Sequence, residues 1–95
     1  MPFHYVYIST NKYRSAFYIV VTNNLKLRLH QNKENKRKTF ASKYNIEFLV
    51  YYEKLAWIDE AIAREKELKK WNRDKKLILS KGQNPIFEFL NYHFE

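Results

Sequence analysis

The spacing of apolar residues predicts two strands at the start of the chain. In residues 3–8, aromatic side chains at every second position alternate with His4 and two aliphatic side chains, so the two sets lie on opposite faces of a strand. Residues 16–21 form an apolar run that is typical of a second strand, and the polar residues 9–15 between them predict a turn. We therefore expect an antiparallel β-hairpin.

A helix and a third strand are predicted next. The helix covers residues 24–35, with Thr22 or Asn23 as its N-cap. Residues 46–52 form a near-continuous apolar run, which is typical of a strand buried on both faces.

The second half of the chain has helical character. Residues 57–71 carry two acidic side chains in the predicted first turn and two lysines in the last, as the helix macrodipole prefers. A shorter helix over residues 73–80 is predicted to end at Gly82, the only glycine of the chain and a candidate C-cap. A short aromatic tail follows Asn84.

These elements occur in the order β-β-α-β-α-α, which predicts an α+β fold: a three-stranded antiparallel sheet flanked by helices. The chain has 95 residues, a length typical of one domain, and we assign residues 1–95 to a single domain.

Composition narrows the class of protein. The chain has no cysteine, which excludes disulfides and thiolate metal sites. It has neither an apolar run long enough to span a bilayer nor a secretory signal, so a cytoplasmic protein without a membrane partner is expected. A net charge of +8 favours a polyanionic partner such as nucleic acid, although it also serves solubility alone.

Glu65 stands out in the long predicted helix. Four apolar residues define the buried stripe of that helix: Ile58, Ala61, Ile62 and Leu68. Glu65 falls within the stripe, where a carboxylate must be paired, protonated or bound to a metal. A structural ion pair, for example with Arg28, explains the position as well as a metal site does.

Arg28 shows a similar anomaly in the first predicted helix. It flanks Leu25 and Leu29, which mark the inner face. A permanently charged guanidinium suits a phosphoryl transition state, because it offsets charge on the non-bridging oxygens. The structural alternative is a salt bridge that holds the helix to the sheet.

Other candidates have strong structural alternatives. Tyr7 and Tyr18 lie on adjacent predicted strands, where a phenol either orients a water or packs in the core. Asn84 precedes Pro85 and suits a turn or a cap. Several basic residues could contact a phosphate backbone or simply be solvated: Lys33, Lys36, Arg37, Lys38, Lys69, Lys70 and Arg73.

Two tyrosine-bearing tripeptides, then a helix arginine and a helix glutamate, resemble the GIY-YIG nuclease family. The tripeptides are Tyr5-Val6-Tyr7 and Tyr18-Ile19-Val20, and the helix residues are Arg28 and Glu65. The resemblance covers about residues 5–85. It is strongest to the small single-domain bacterial branch, which is similar to the nuclease module at the N-terminus of the excinuclease C subunit.

The resemblance implies a Mg²⁺-dependent or Mn²⁺-dependent endonuclease that hydrolyses phosphodiester bonds in DNA and has no small-molecule cofactor. Glu65 would bind the metal, Tyr7 would orient the attacking water and Tyr18 would place the scissile phosphate. Arg28 would stabilise the transition state. Asn32 and Asn84 would border the site.

The same resemblance implies a substrate and a state of assembly. Branched and flap DNA are candidate substrates, because no base-reading element is visible and binding should be structure-selective or weakly sequence-selective. A homodimer is one candidate assembly, since one small nuclease domain often needs either a partner or a second copy of itself for a double-strand cut.

Two departures from the family pattern keep an alternative open. Val20 stands where the second tripeptide normally ends in glycine, and Asn32 where a histidine is frequent. They favour a non-catalytic nucleic-acid-binding module with the same fold. A third hypothesis is a protein-interaction domain that uses residues 86–90.

Overall fold

A three-stranded antiparallel sheet forms the centre of the computed structural model, which describes residues 3–34, 46 and 48–94. The strand order is β2-β1-β3, and both pairs are antiparallel. The strands are β1 (His4–Thr10), β2 (Phe17–Thr22) and β3 (Phe48–Leu55). The helices are α1 (Leu25–Glu34), α2 (Ile58–Lys70), α3 (Arg73–Gln83) and a final 3₁₀ turn (Asn91–Phe94). The predicted α+β class and element order are confirmed.

Strand β1 is buried on both faces because helices cover each side of the sheet. Its residues from Val6 to Thr10 are all 0% exposed. Val6 and Ile8 pack in one cluster with Ala61 and Leu68 of α2. On the opposite face, Tyr7 packs with α1 and with the end of the chain. The alternation along β1 therefore separates two half-cores.

A bulge interrupts the pairing of β1 with β3. Ile8 pairs with Tyr51 and Ser9 pairs with Leu49, so Val50 is one residue extra. The carbonyl of Val50 accepts a hydrogen bond from Asn84 Nδ2 at 3.1 Å. The side chain of Asn84 thus satisfies a backbone group at the bulge.

Asn84 also ends α3, so the predicted cap at Gly82 is wrong. The helix runs through Gly82 to Gln83, and the backbone N–H of Asn84 donates to the Ser80 carbonyl at 2.8 Å. The carboxamide of Asn84 makes two bonds to Glu88, donating to its carbonyl at 2.7 Å and accepting from its N–H at 3.0 Å. These long-range and local bonds fix the end of the helix without a left-handed glycine.

Helix α1 begins one residue later than predicted. Asn24 Oδ1 accepts from the N–H of Leu27 at 3.1 Å, so Asn24 is the N-cap rather than Thr22 or Asn23. Thr22 Oγ1 instead accepts from the N–H of Asn24 at 3.1 Å and fixes the approach to the helix.

Strand β3 is displaced toward the C-terminus relative to the predicted residues 46–52, because the edge position tolerates polar residues such as Glu53 and Lys54. No helix within the described part of the chain is long and apolar enough to cross a membrane.

We predict that Asn84→Ala lowers the free energy of unfolding by about 1–3 kcal/mol, because it leaves buried backbone groups of Val50 and Glu88 without partners. Urea unfolding followed by circular dichroism measures this change. Asn23→Ala, at an exposed position, is the matched control. Equal midpoints for the two variants would contradict the structural role of Asn84.

Candidate active site

Tyr7 and Tyr18 lie on the face of the sheet that α1 covers, at different depths. Tyr7 pairs with Val20 and Tyr18 pairs with Ser9, so the two tyrosines are diagonal neighbours with Cα atoms about 7–8 Å apart. Tyr7 is 0% exposed, whereas Tyr18 is half-buried. Of the two phenols, that of Tyr18 is therefore the one beside solvent, and Tyr7 lies within the core.

Val20 is a core residue. It is 8% exposed and packs with Tyr7, Leu25 and Leu29 between β2 and α1. The β-branched side chain that replaces the family's glycine therefore fills space beneath the helix rather than projecting into an open cleft.

Arg28 is half-buried on one flank of α1 and forms no salt bridge with any residue that the structure describes. At 100° per residue it lies roughly 160° around the helix from His30. His30 borders a groove that reaches Phe48 of β3. Arg28 is consequently turned away from β3 and toward the β2 side of the sheet.

Glu65 is half-buried, with 21% of its side chain exposed, and its Oε2 lies 3.6 Å from Lys69 Nζ. The ion pair with Arg28 considered from the sequence is therefore replaced by one within α2. The predicted buried stripe is narrower than expected: Ala61 and Leu68 are buried, but Ile58 and Ile62 are 44% and 40% exposed. A three-stranded sheet is too narrow to cover that flank of α2, so Glu65 lies at the edge of the buried stripe.

Arg64 fixes the rotation of α2. Its Nε and Nη2 donate to the carboxylate of Glu53 on β3 at 2.9–3.0 Å, a bidentate arrangement, and its Nη1 donates to Glu67. Tyr51 Oη also donates to Glu53, at 2.5 Å. Burial, reinforced by the Glu53 carboxylate, raises the pKa of Tyr51 well above its usual range.

The consequence for Glu65 follows from helix geometry. Arg64 and Glu65 lie on opposite sides of the line through Ala61 and Leu68, since consecutive residues differ by 100°. Because Arg64 reaches β3, Glu65 faces the β2 side. Helix geometry thus turns Arg28 and Glu65, which lie on helices at opposite faces of the sheet, toward the side of the sheet formed by β2. The Arg64–Glu53 pair could not be predicted from sequence, because no local pattern connects two residues eleven positions apart.

The basic residues predicted to contact a phosphate backbone differ in the contacts they make within the protein. Lys69 and Lys70 are exposed, although Lys69 pairs with Glu65. Arg73 is exposed too, but its guanidinium donates to the carbonyls of Arg14 at 2.6 Å and Ser15 at 3.0 Å. Arg73 therefore holds the β1–β2 turn against the start of α3, a role that sequence could not reveal.

The remaining predicted site residues are less informative. Lys36, Arg37 and Lys38 lie outside the described residues, and only the backbone of Asn32 and Lys33 is described. The carboxamide of Asn84 is bonded to backbone groups, as described above.

The carboxylate of Glu65 is the candidate metal ligand at this edge. No group of three or more acidic or histidine side chains that could hold a metal is found among the described residues. Mg²⁺ is commonly held by one or two carboxylates, with waters and substrate phosphates completing its octahedron. The partly exposed carboxylate of Glu65 fits that kind of site and does not fit an all-protein cage.

Comparison with known proteins identifies a family. A family model described as the GIY-YIG catalytic domain matches residues 3–77. No curated protein and no solved structure matches the chain. The more specific similarity to the excinuclease C module stays a prediction.

We predict that Glu53→Gln lowers the free energy of unfolding by about 1–3 kcal/mol, because it weakens the charged bonds to Arg64 and Tyr51. Glu67→Gln removes only a partner whose side chain is 53% exposed and should cost about 0–1 kcal/mol. Urea unfolding of both variants tests the difference. A larger loss for Glu67→Gln would show that Glu53 does not anchor α2.

Proposed function

The chain belongs to the GIY-YIG nuclease family, and from that premise we propose that it is a metal-dependent endonuclease that hydrolyses phosphodiester bonds in DNA. The feature that supports the proposal best is the orientation of Arg28 and Glu65 that helix geometry gives. Both are half-buried, and both are turned toward the β2 side, where Tyr18 lies.

Arg28 is suited to binding the reacting phosphate. It forms no salt bridge with a described residue, so its guanidinium does not have to give up a carboxylate before it contacts substrate. Its charge is permanent and its planar donors match phosphate oxygens. In this role it offsets the negative charge that develops on the non-bridging oxygens.

Glu65 would hold Mg²⁺ or Mn²⁺, which prefer carboxylate and water oxygens. When bound, such an ion polarises the phosphoryl oxygen and stabilises the leaving 3′ oxygen. Lys69, whose Nζ lies 3.6 Å from the Glu65 carboxylate, orients that carboxylate until substrate arrives.

The burial of the two tyrosines changes the roles expected from the sequence. Tyr18, half-buried, is placed to contact the attacking water or the scissile phosphate. Tyr7, completely buried on the neighbouring strand, supports β2 from the core. We therefore assign the orientation of water to Tyr18 and a positioning role to Tyr7.

The alternative of a non-catalytic binding module loses part of its support. It depended on Val20 and Asn32, and Val20 packs beneath α1 instead of narrowing a cleft. The net charge of +8 suits a DNA backbone under either hypothesis. Cleavage of DNA is the property that distinguishes the nuclease from the non-catalytic binding module.

We predict metal-dependent cleavage of labelled duplex, flap and branched DNA by the wild type, with no products in chelator. Arg28→Ala should lower the rate about 10²–10³-fold, because it removes a preorganised charge from the transition state. Glu65→Gln should abolish cleavage even when metal is present, because it removes the carboxylate that would bind the ion.

Glu60→Gln is the matched control for this experiment, because it makes the same chemical change at an exposed position of the same helix. Retained DNA binding by all variants would exclude a folding defect. Binding without cleavage by the wild type, on every substrate, would instead establish the non-catalytic module.

We also predict that Tyr18→Phe lowers the cleavage rate at saturating DNA by about 10²-fold or more, the scale of general acid–base assistance. Tyr7→Phe keeps the ring in the core and should change the rate less. Single-turnover cleavage across a range of pH compares the two. A greater loss for Tyr7→Phe would restore the water-orienting role to Tyr7.

A further inference from the structure

A groove of about 650 Å³ lies on the flank of α1 opposite Arg28, between the helix and the C-terminal segment. Its α1 wall includes Lys26, Leu27 and His30. Leu27 is 49% exposed. The groove is large enough for a small organic ligand, since such sites measure about 300–1,000 Å³.

The other wall is aromatic and includes Phe48, Phe89 and Tyr92. The Phe48 and Phe89 rings are stacked, with centroids 4.2 Å apart and planes inclined by 15°. The Arg14 guanidinium lies 4.1 Å from the centroid of Phe89. Arg14 and Phe48 therefore occupy opposite faces of the Phe89 ring. Tyr92, in the same wall, is 55% exposed.

The charge of the groove selects among ligands. Lys26 supplies a cation on its rim, and the described lining side chains include no carboxylate, although Glu88 Oε1 accepts a hydrogen bond from Tyr92 Oη at 2.7 Å. Aromatic faces beside a lysine bind unpaired nucleotides, because bases stack on the rings while the lysine attracts the backbone. A nucleic-acid strand is favoured over a neutral peptide as the ligand, because the protein has a net charge of +8.

The position of the groove relates it to the proposed site of cleavage. One helix, with a diameter of about 10–12 Å, separates it from Arg28. That distance corresponds to about three nucleotides at a rise of 3.4 Å per nucleotide. The aromatic wall formed by Phe89 and Tyr92 lies beyond residue 77, where the family match ends.

We propose that the groove binds the base of an unpaired nucleotide about three nucleotides from the cut, which makes DNA with a single-stranded stretch beside the scissile bond the preferred substrate. This inference rests on the proposed nuclease function. A fully paired duplex keeps its bases stacked and cannot place one in the groove.

The test measures binding apart from cleavage. Fluorescein-labelled duplex, and the same duplex with a three-nucleotide gap, are titrated by anisotropy in chelator with Glu65→Gln as the parent protein. The parent should bind gapped DNA about tenfold more tightly than duplex, within the range that base stacking on an aromatic ring supplies. Abasic residues in the gapped strand should remove the preference, since they keep the phosphates and delete the bases.

Two groove variants and one control accompany the parent. Leu27→Glu places a carboxylate in the groove, Tyr92→Ala removes an exposed ring, and each should reduce the affinity for gapped DNA about tenfold with little effect on duplex. Ile78→Glu also replaces an exposed aliphatic side chain by glutamate, at a position on α3 that is 74% exposed, and this variant should behave as the parent. Circular dichroism confirms the fold of each.

The outcomes separate this inference from the proposed function. Metal-dependent cleavage by the wild type, with equal binding of gapped, abasic and duplex DNA, would overturn the groove proposal and leave the nuclease intact. A gap preference lost in both groove variants, without cleavage by the wild type, would support the groove and reject the nuclease. Light scattering that shows a dimer dissociated by Leu27→Glu would assign the groove to a second copy of the chain and overturn the proposal.

Discussion

The position of the candidate site depends on the ion pair between Arg64 and Glu53. Small apolar contacts through Ala61 and Leu68 hold α2 on the sheet but tolerate some rotation, whereas a bidentate guanidinium–carboxylate pair fixes direction as well as distance. Tyr51 also donates to Glu53 and so orients the carboxylate. Since Arg64 is tied to β3, the next residue, Glu65, is turned to the other side of the helix. A structural arginine thereby determines where the proposed metal ligand lies.

The central strand imposes a second constraint, because burial on both faces leaves little room for chemistry on β1. Tyr7 and Ser9 are 0% exposed, and Ser9 Oγ has no hydrogen-bond partner in the part of the chain that the structure describes. Solvent-facing chemistry therefore falls to the edge strand and to helix flanks. This explains why Tyr18 on β2, and not Tyr7, is the phenol near the proposed site.

Sequence patterns predicted the fold well where the cause is local. Strand alternation separated the two faces of β1, and helical periodicity located α1 and α2 within a few residues. Sequence patterns failed where contacts between distant parts of the chain determine the structure. Gly82 looked like a cap, but bonds from Asn84 to β3 and to the tail end the helix later. Arg73 looked like a phosphate ligand, yet it contacts a turn 58 positions away in the chain. The candidacy of Arg28 and Glu65 came mainly from family resemblance, since their burial alone equally suited ion pairs.

Helix α1 links the proposed site to the groove. Among its described side chains Leu25 and Leu29 are buried, with Arg28 on one flank and Lys26 and His30 on the other. The cap by Asn24 and packing against β1 make the helix a rigid spacer. A strand that crosses it would have its cleaved phosphate and its bound base held at a separation set by the helix diameter. Any shift of α1 would move Arg28 and the groove together, so this separation is a property of the helix and not of the loops around it.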